Sequence, residues 1–348
     1  MTHHPPRHAI SLIPDYGTTG IGSLPHTQLE LALQMALQAD IPYLPQLPRA
    51  NPGEWMISSA LEGLPGLTFD DSGICEVSLQ AWNRGHAEFK GRLDSALKSG
   101  DLTSFLPAPQ ACRAWKPFLW EVATRKLALA KVQIAGPFTV RWSARTDQGE
   151  AIAEHAGLDQ TTFRLLLAKG LAMVKALKAA GATPLIFLDE PGLIAFEVAK
   201  PSHLAALQEL KLLTLALQNA GALVGLHCCG NTHWAEILRL GFNIISLDAQ
   251  VSLENVLVQE NAVNHFLAGE GTFSLGIIPT DREETVPPLK VLERVAQRFS
   301  NTSRLPVLLT PACGLGMRSI PDAENIVQEV KNAQRYLRKA AMPPVTSG

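Results

Sequence analysis

Three residues that carry thiols or an imidazole have the types and spacing of a zinc site. His227 and Cys229 are two positions apart, and Cys313 follows an apolar stretch further along the chain. Residues two apart in an extended chain point to the same face, so His227 and Cys229 project together while Cys228 points away. Zinc prefers nitrogen and sulfur ligands in a tetrahedron. The sequence therefore predicts a metal site at His227, Cys229 and Cys313, with Asp248 as the fourth ligand.

The alternative role for any of the cysteines is that of a small buried apolar residue. The chain has five cysteines, an odd number without the short spacing of a disulfide framework. Cys75 and Cys112 have no neighbouring ligand types and are predicted to lie in the core. A His-x-Cys pair alone is a weak signal, and the prediction of a metal depends on its combination with Cys313 and Asp248.

The elements that must position these residues alternate between β-rich and helical stretches. Several β-rich stretches are apolar throughout, which is typical of strands buried on both faces. Eight strands alternating with helices favour an α/β fold of the single (β/α)8 TIM-barrel type, and an open doubly wound sheet is the alternative. The predicted strands are Thr18–Gly22, Pro42–Gln46, Lys131–Gly136, Pro184–Asp189, Ala222–His227, Asn243–Asp248, Phe273–Ile278 and Leu305–Thr310.

Helices are predicted between these strands, together with one long insertion between strands two and three. Residues 47–130 exceed the length of one crossover, contain two predicted helices near 79–98 and 111–129, and are interpreted as an insertion over the barrel mouth. The barrel is expected to span 17–341, between a flexible N-terminal tail (1–16) and a C-terminal tail (342–348). Of the remaining predicted helices, the first begins at Thr27 with a capping box. The others cover 160–180, 201–220, 231–239, 252–267, 285–300 and 321–340.

Polar residues collect where the predicted strands end. Ser23 and His26 follow the first strand, Asp189 and Glu190 follow the fourth, and Asp248 ends the sixth. The carboxyl ends of barrel strands meet at one mouth, where such barrels carry their active sites. Helix capping or ion pairing is the alternative role of Asp189 and Glu190, and His26 has the alternative of capping the helix it precedes.

Four motifs occur together in this chain: Gly22–His26, Leu188–Pro191, His227-x-Cys229 and Thr310–Leu315. Their order resembles that of the cobalamin-independent methionine synthases, which belong to the uroporphyrinogen decarboxylase-like barrel superfamily. The resemblance extends over nearly the whole chain, from about residue 18 to 340. The stretch His227–Asn231 is also similar to the zinc motif of corrinoid-dependent methyltransferases of that superfamily.

The resemblance implies a zinc-dependent methyltransferase that binds the homocysteine thiol and produces methionine. Its metal ligands would be the three residues predicted above, with Asp248 where the family has Glu. It implies that Ser23 contacts the amino acid and that Asp189 holds the substrate ammonium. We accordingly predict Asp189 and Glu190 as catalytic residues, and Ser23, His26 and Asp189 as substrate-binding residues.

Departures from the family pattern bear on the methyl donor. Cobalamin-independent methionine synthases have two barrels, whereas one barrel is predicted here. The histidine that the family has after strand seven is absent from Gly276–Asp281, and Asp248 is one methylene shorter than the family's Glu. These departures favour a methylcorrinoid donor, carried by a corrinoid partner protein, over a methyl-folate.

Charge and hydropathy exclude several classes of function and leave two rival functions. With a net charge of −2, the chain lacks the excess of basic residues that is typical of proteins that bind nucleic acid or an anionic membrane. The sequence has no apolar run of membrane-spanning length and no signal-peptide pattern, so a cytoplasmic protein is predicted.

One rival function is that of a metal-free decarboxylase of the porphyrinogen type, which needs an arginine cluster such as Arg49, Arg141 and Arg145. The other is a non-catalytic zinc- or corrinoid-binding accessory protein.

Overall fold

A computed structural model describes residues 10–281, 287–298 and 307–340. The strands in chain order are β1 (Gly17–Thr18), β2 (Leu67–Phe69), β3 (Cys75–Val77), β4 (Leu129–Ala135), β5 (Arg145–Thr146), β6 (Thr183–Asp189), β7 (Leu223–Cys228), β8 (Ile244–Asp248), β9 (Thr272–Ile278) and β10 (Val307–Pro311). Among the described residues, seven parallel strands form one curled sheet in the order β1-β10-β9-β8-β7-β6-β4, and β2, β3 and β5 form a separate small sheet.

The extended segment 41–46 closes the sheet between β1 and β4. Parallel bridges join Tyr43 to Lys131 on one side and Ser23 to Gln46 on the other. The backbone N–H of residue 44 donates to the carbonyl of Lys131 at 2.9 Å, and that of residue 41 donates to Thr18 at 3.0 Å. The segment therefore occupies the position predicted for strand two, and the predicted (β/α)8 barrel is confirmed.

Strand alternation divides the apolar side chains into two groups. One group packs between the sheet and the helices, and the other fills the floor inside the barrel. Burial of each such side chain contributes roughly 1.5–3 kcal/mol of stability. Ile13 is a member of the floor group, so the predicted tail 1–16 contributes at least this side chain to the core. The floor consists of Ile13, Ile41, Leu129, Leu185, Phe187, Leu223, Ile244 and Leu308.

Above this floor the interior of the barrel becomes polar. Side chains an even number of positions apart along a strand point to the same side. The polar residues placed above the floor on this side are buried. They include Lys131, Gln133, Asp189, His227, Ser246, Asp248, Ser274 and Thr310. The polar layer lies between the apolar floor and the mouth, where the strands end.

Most helices lie near the predicted places with shifted ends, but Met56–Leu61 and Pro137–Ser143 are helices that the sequence analysis did not predict. The first helix begins at Leu29, and the capping box predicted at Thr27 is wrong. Gln28 occupies the N-cap in an extended conformation and makes no side-chain cap hydrogen bond. The predicted helix 252–267 is two helices, separated at 258–259. The helices are α1 (Leu29–Leu37), α2 (Met56–Leu61), α3 (Leu79–Ser99), α4 (Trp115–Thr124), α5 (Pro137–Ser143), α6 (Ala156–Ala179), α7 (Pro201–Asn219), α8 (Trp234–Ile237), α9 (Ala249–Leu257), α10 (Glu260–Ala268), α11 (Pro288–Arg298) and α12 (Ile320–Ala340).

The insertion 47–130 contains α2, α3, α4 and the β2–β3 hairpin. Arg49 donates from Nη2 to the carbonyl of Met317 at 2.9 Å, so the start of the insertion contacts the loop that follows β10. Cys75 and Cys112 are buried within it, as predicted. Within the described ranges, no helix has both the length and the apolar character to cross a bilayer.

Parts of several predicted elements lie outside the described residues. These parts are residues 1–9 of the predicted N-terminal tail, 342–348 of the C-terminal tail, 285–286 and 299–300 of one predicted helix, and 305–306 of the last predicted strand.

Candidate metal centre

The predicted nitrogen and sulfur ligands meet at the barrel mouth. One ligand atom from each of His227, Cys229 and Cys313 lies within 4.8 Å of the other two. His227 is 3% exposed, whereas both cysteines are partly exposed. Cys228 points away into the apolar layer and lies 3.4 Å from the carbonyl of Gly230. Alternation along β7 therefore places His227 and Cys229 together, and the end of β10 adds Cys313.

The two ring nitrogens of His227 have different surroundings. Nδ1 lies 3.1 Å from Oγ of Ser246. Nε2 is buried and has no hydrogen-bond partner among the described residues. A buried polar atom without a partner is costly unless something else satisfies it. Because the imidazole of His227 accompanies two sulfurs, the donor set fits zinc.

The two thiols influence one another. The Cys313 thiol lowers the pKa of Cys229, whereas the Cys229 thiol raises the pKa of Cys313. Burial opposes the first shift and adds to the second. Of the two thiols, Cys229 is therefore the one favoured as a thiolate, and a bound cation would displace the protons that remain.

Asp189 lies inside the barrel next to this cluster. It is paired in register with His227 on the neighbouring strand, and its Oδ1 is buried without a hydrogen-bond partner in the described part of the chain. Burial raises the pKa of Asp189 to about 6, although Lys131 and His227 oppose the shift. An unpartnered carboxylate oxygen at this position can accept a hydrogen bond from a ligand, as predicted for a substrate ammonium.

Glu190 has a different role from the catalytic one predicted. Its carboxylate is fully buried and accepts hydrogen bonds from the backbone N–H of Phe138 (3.0 Å), the N–H of Thr139 (2.7 Å) and Oγ1 of Thr139 (2.5 Å). Burial nevertheless raises the pKa of Glu190 to about 7. Both oxygens hold the first turn of α5, so Glu190 is a positioning residue rather than one that contacts a substrate.

Asp248 also differs from the prediction. Its Oδ1 accepts from the backbone N–H of Gln250 at 2.8 Å and of Val251 at 3.3 Å, and the residue caps the N-terminus of α9. It is not in the group formed by the three nitrogen and sulfur ligands. The physical reason is that a helix begins directly after β8, and its unpaired N–H groups attract the carboxylate.

The two residues that follow strand one are separated in the structure. Oγ of Ser23 accepts from the backbone N–H of Gly316 at 3.3 Å, which places Ser23 against the loop that carries Cys313. His26 instead lines a groove of about 290 Å³ between α1 and α12, together with Glu324. Burial lowers the pKa of His26. The structure therefore brings Ser23 to the site and His26 to the outer side of the barrel.

Two interior residues near the site were not predicted from the sequence. Ser246 contacts His227, and Lys131 donates from Nζ to the carbonyl of Ile21 at 2.7 Å and to Oε1 of Gln133 at 3.2 Å. Burial lowers the pKa of Lys131 to about 8. The signal that could have found them is the period of two along the strands, because each lies on the inward side.

The arginines required by the decarboxylase alternative do not form a cluster at the mouth. Arg141 is buried and pairs with Asp159 at 2.9 Å and Glu209 at 2.6 Å. Arg49 is hydrogen-bonded to the loop after β10, and Arg145 is exposed on the small sheet. Because Arg141 is neutralised between helices, this alternative loses its main support.

Comparison with known proteins identifies relatives by sequence and by fold. The family model described as "Cobalamin-independent synthase, Catalytic domain" matches residues 109–336. A methyltransferase from Methanosarcina mazei has a similar fold, with a TM-score of 0.52 and 14% identity over 94% of each chain. A B12-independent methionine synthase from Shewanella sp. W3-18-1, solved with selenomethionine, gives a TM-score of 0.47 and 15% identity over 64% of this chain and 67% of that one. A search of curated protein sequences found no significant match.

Proposed function

The chain belongs to the cobalamin-independent synthase catalytic-domain family, and we propose that it is a zinc-dependent methyltransferase that acts on a thiol. The proposed substrate is homocysteine, and the proposed product is methionine. The observation that carries the proposal is the group of His227, Cys229 and Cys313 with an unpartnered imidazole nitrogen. These three residues would hold the metal. Three protein ligands are the number that a catalytic zinc has, because a fourth position remains for the substrate.

Zinc would supply the positive charge that keeps a substrate thiol deprotonated at neutral pH, where a free thiol with a pKa near 8.5 is mostly protonated. The surrounding residues would bind and orient the substrate. The unpartnered Oδ1 of Asp189 is proposed to accept from the substrate ammonium, and Ser23, which lies against the loop that carries Cys313, is proposed to contact the same amino acid. The apolar floor and closed sheet limit water below the site.

The family does not support the methyl donor predicted from the sequence. That prediction is a methylcorrinoid on a partner protein, whereas the family is cobalamin-independent. We propose a donor with an electrophilic methyl group that is not a corrinoid, and a methyl-folate is the first compound to test. The cytoplasmic location and the division into one barrel with two tails stay predictions.

Zinc X-ray absorption with and without homocysteine tests the proposal. We expect two sulfur neighbours in the zinc-loaded protein and one more when homocysteine is added, because the substrate thiol occupies the remaining position. An unchanged sulfur count would favour the accessory-protein alternative, since a structural zinc is saturated by the protein. Methionine formation from homocysteine and methyltetrahydrofolate then tests the donor separately.

A further inference from the structure

The imidazole of His227 is held by a hydroxyl on the neighbouring strand. Nδ1 of His227 and Oγ of Ser246 are 3.1 Å apart, and the two residues are only 3% and 1% exposed. They are register partners on β7 and β8, so the sheet itself fixes the position of the hydroxyl relative to the ring. Both side chains point into the barrel.

This contact bears on which ring nitrogen can bind a metal. A neutral imidazole has one N–H and one nitrogen with a free lone pair, and the hydrogen bond made by one nitrogen determines the state of the other. If Nδ1 carries the proton and donates it to Ser246, the lone pair is on Nε2. That nitrogen has no hydrogen-bond partner among the described residues, and the imidazole lies beside the two thiols.

We propose that Ser246 is a positioning residue for the metal site. Its hydroxyl accepts the Nδ1 proton of His227, keeps the ring in the Nδ1–H tautomer and directs the lone pair of Nε2 toward Cys229 and Cys313. The inference rests on the proposed zinc-dependent function and adds to it a residue outside the ligand set. Ligating histidines generally need such a partner, and its loss weakens metal binding 10–100-fold.

The chain offers a matched control. Ser274 is the register partner of Ser246 on the next strand, and its Oγ is equally buried but has no hydrogen-bond partner in the described ranges. Ser246→Ala and Ser274→Ala remove the same atom from the same polar layer. Ser246→Thr keeps the hydroxyl, and its β-branched side chain suits a strand.

Zinc affinity, measured by competition with a chelator, is the first readout. We expect Ser246→Ala to weaken binding about 10–100-fold, and Ser246→Thr and Ser274→Ala to stay within about threefold of the unmodified protein. Unchanged zinc affinity in Ser246→Ala would overturn the proposal, because the hydroxyl would then have no role in zinc binding. An equal loss of zinc affinity in Ser274→Ala would also overturn it, because the loss would then come from general packing.

The second readout needs no metal. In metal-free protein labelled with ¹⁵N-histidine, long-range proton–nitrogen spectra distinguish the two tautomers, and the His227 signal is assigned by its absence from His227→Gln. We expect the Nδ1–H tautomer in the unmodified protein and in Ser246→Thr, and a shift toward Nε2–H in Ser246→Ala. The Nε2–H tautomer in the unmodified protein would refute the role of Ser246. If the unmodified protein bound no zinc, the proposed function would fail, while this measurement would still decide the tautomer.

Discussion

At the scale of single residues, the site depends on which side of a strand each side chain occupies. Cys228 and Cys229 are adjacent in the sequence, yet one is buried in the apolar layer and the other belongs to the metal centre. Burial raises the pKa of Cys228 to about 12, so it remains a protonated thiol at neutral pH. Cys229, whose pKa is lowered by Cys313, is the one disposed to act as a thiolate.

We therefore expect about one zinc per chain, and its loss in Cys229→Ser and Cys313→Ser, because a serine hydroxyl is a poor zinc ligand at neutral pH. Cys228→Ser is the matched control and should retain the metal. Metal analysis of the purified variants measures this. Asp248→Asn should also retain zinc, since an amide oxygen still caps the helix. Equal zinc content in all four variants would refute the site.

Asp189→Asn should weaken homocysteine binding while zinc remains bound. A hydrogen bond to a charged group contributes about 1.5–3 kcal/mol, so we expect a loss of roughly 10–100-fold in affinity. Titration of the zinc-loaded variant with homocysteine gives the affinity, and metal analysis of the same sample gives the zinc content. A thiol without an amino group should bind the unmodified protein and Asp189→Asn with equal affinity. If Asp189→Asn also bound that thiol more weakly, Asp189 would not act by contacting the ammonium.

At the scale of elements, β4 shows how the barrel interior tolerates charge. Lys131 lies on this strand inside the barrel, 4.7 Å from the centre of the Phe187 ring, with hydrogen bonds to a carbonyl and an amide. Burial lowers its pKa from 10.5 to about 8. The charged form therefore opposes folding by about 3 kcal/mol at neutral pH, since each pKa unit corresponds to about 1.4 kcal/mol.

Between about pH 8 and 10.5 the unfolded chain binds more protons at Lys131 than the folded chain does. The contribution of this residue to the free energy of unfolding consequently rises with pH across that window and is constant below it. Chemical denaturation at several pH values, compared with Lys131→Met, isolates the contribution because the other groups titrate in both proteins. A difference between the two proteins that did not change with pH would contradict the burial of a titrating lysine.

At the scale of the whole molecule, the candidate metal centre connects distant parts of the chain. His227 and Cys229 come from the end of β7, and Cys313 comes from the end of β10, next to β1, which closes the barrel through segment 41–46. A cation bound there joins elements more than eighty residues apart in sequence. Because such a site does not exist in the unfolded chain, the binding free energy adds to the stability of the folded barrel.

Zinc at about 1,000 times its dissociation constant should therefore stabilise the protein by roughly 4 kcal/mol. We expect the melting temperature to fall by several degrees when zinc is removed with a chelator and to recover when zinc is restored. Cys313→Ser provides the control, since its melting temperature should be insensitive to both treatments. If the melting temperature of the unmodified protein did not respond to zinc, zinc binding would not contribute to the stability of the fold.

The amino-acid pattern along the chain predicted the barrel and the cluster of His227, Cys229 and Cys313. Several β-rich stretches are apolar throughout and recur between helices, and that pattern is local. The spacing of His227 and Cys229 is also local, because the period of a strand fixes which side chains share a face. The prediction that Cys228 points away required nothing more than this period.

The contacts of the remaining polar residues could be seen only in the folded chain. Glu190 and Asp248 look like site residues in the sequence, but each carboxylate satisfies the N–H groups at the start of a helix. Ser246 carries no motif, and its importance comes from lying opposite His227 on another strand. Hydrogen-bond partners depend on which groups meet across strands and loops, and that is set by closure of the barrel rather than by neighbours along the chain.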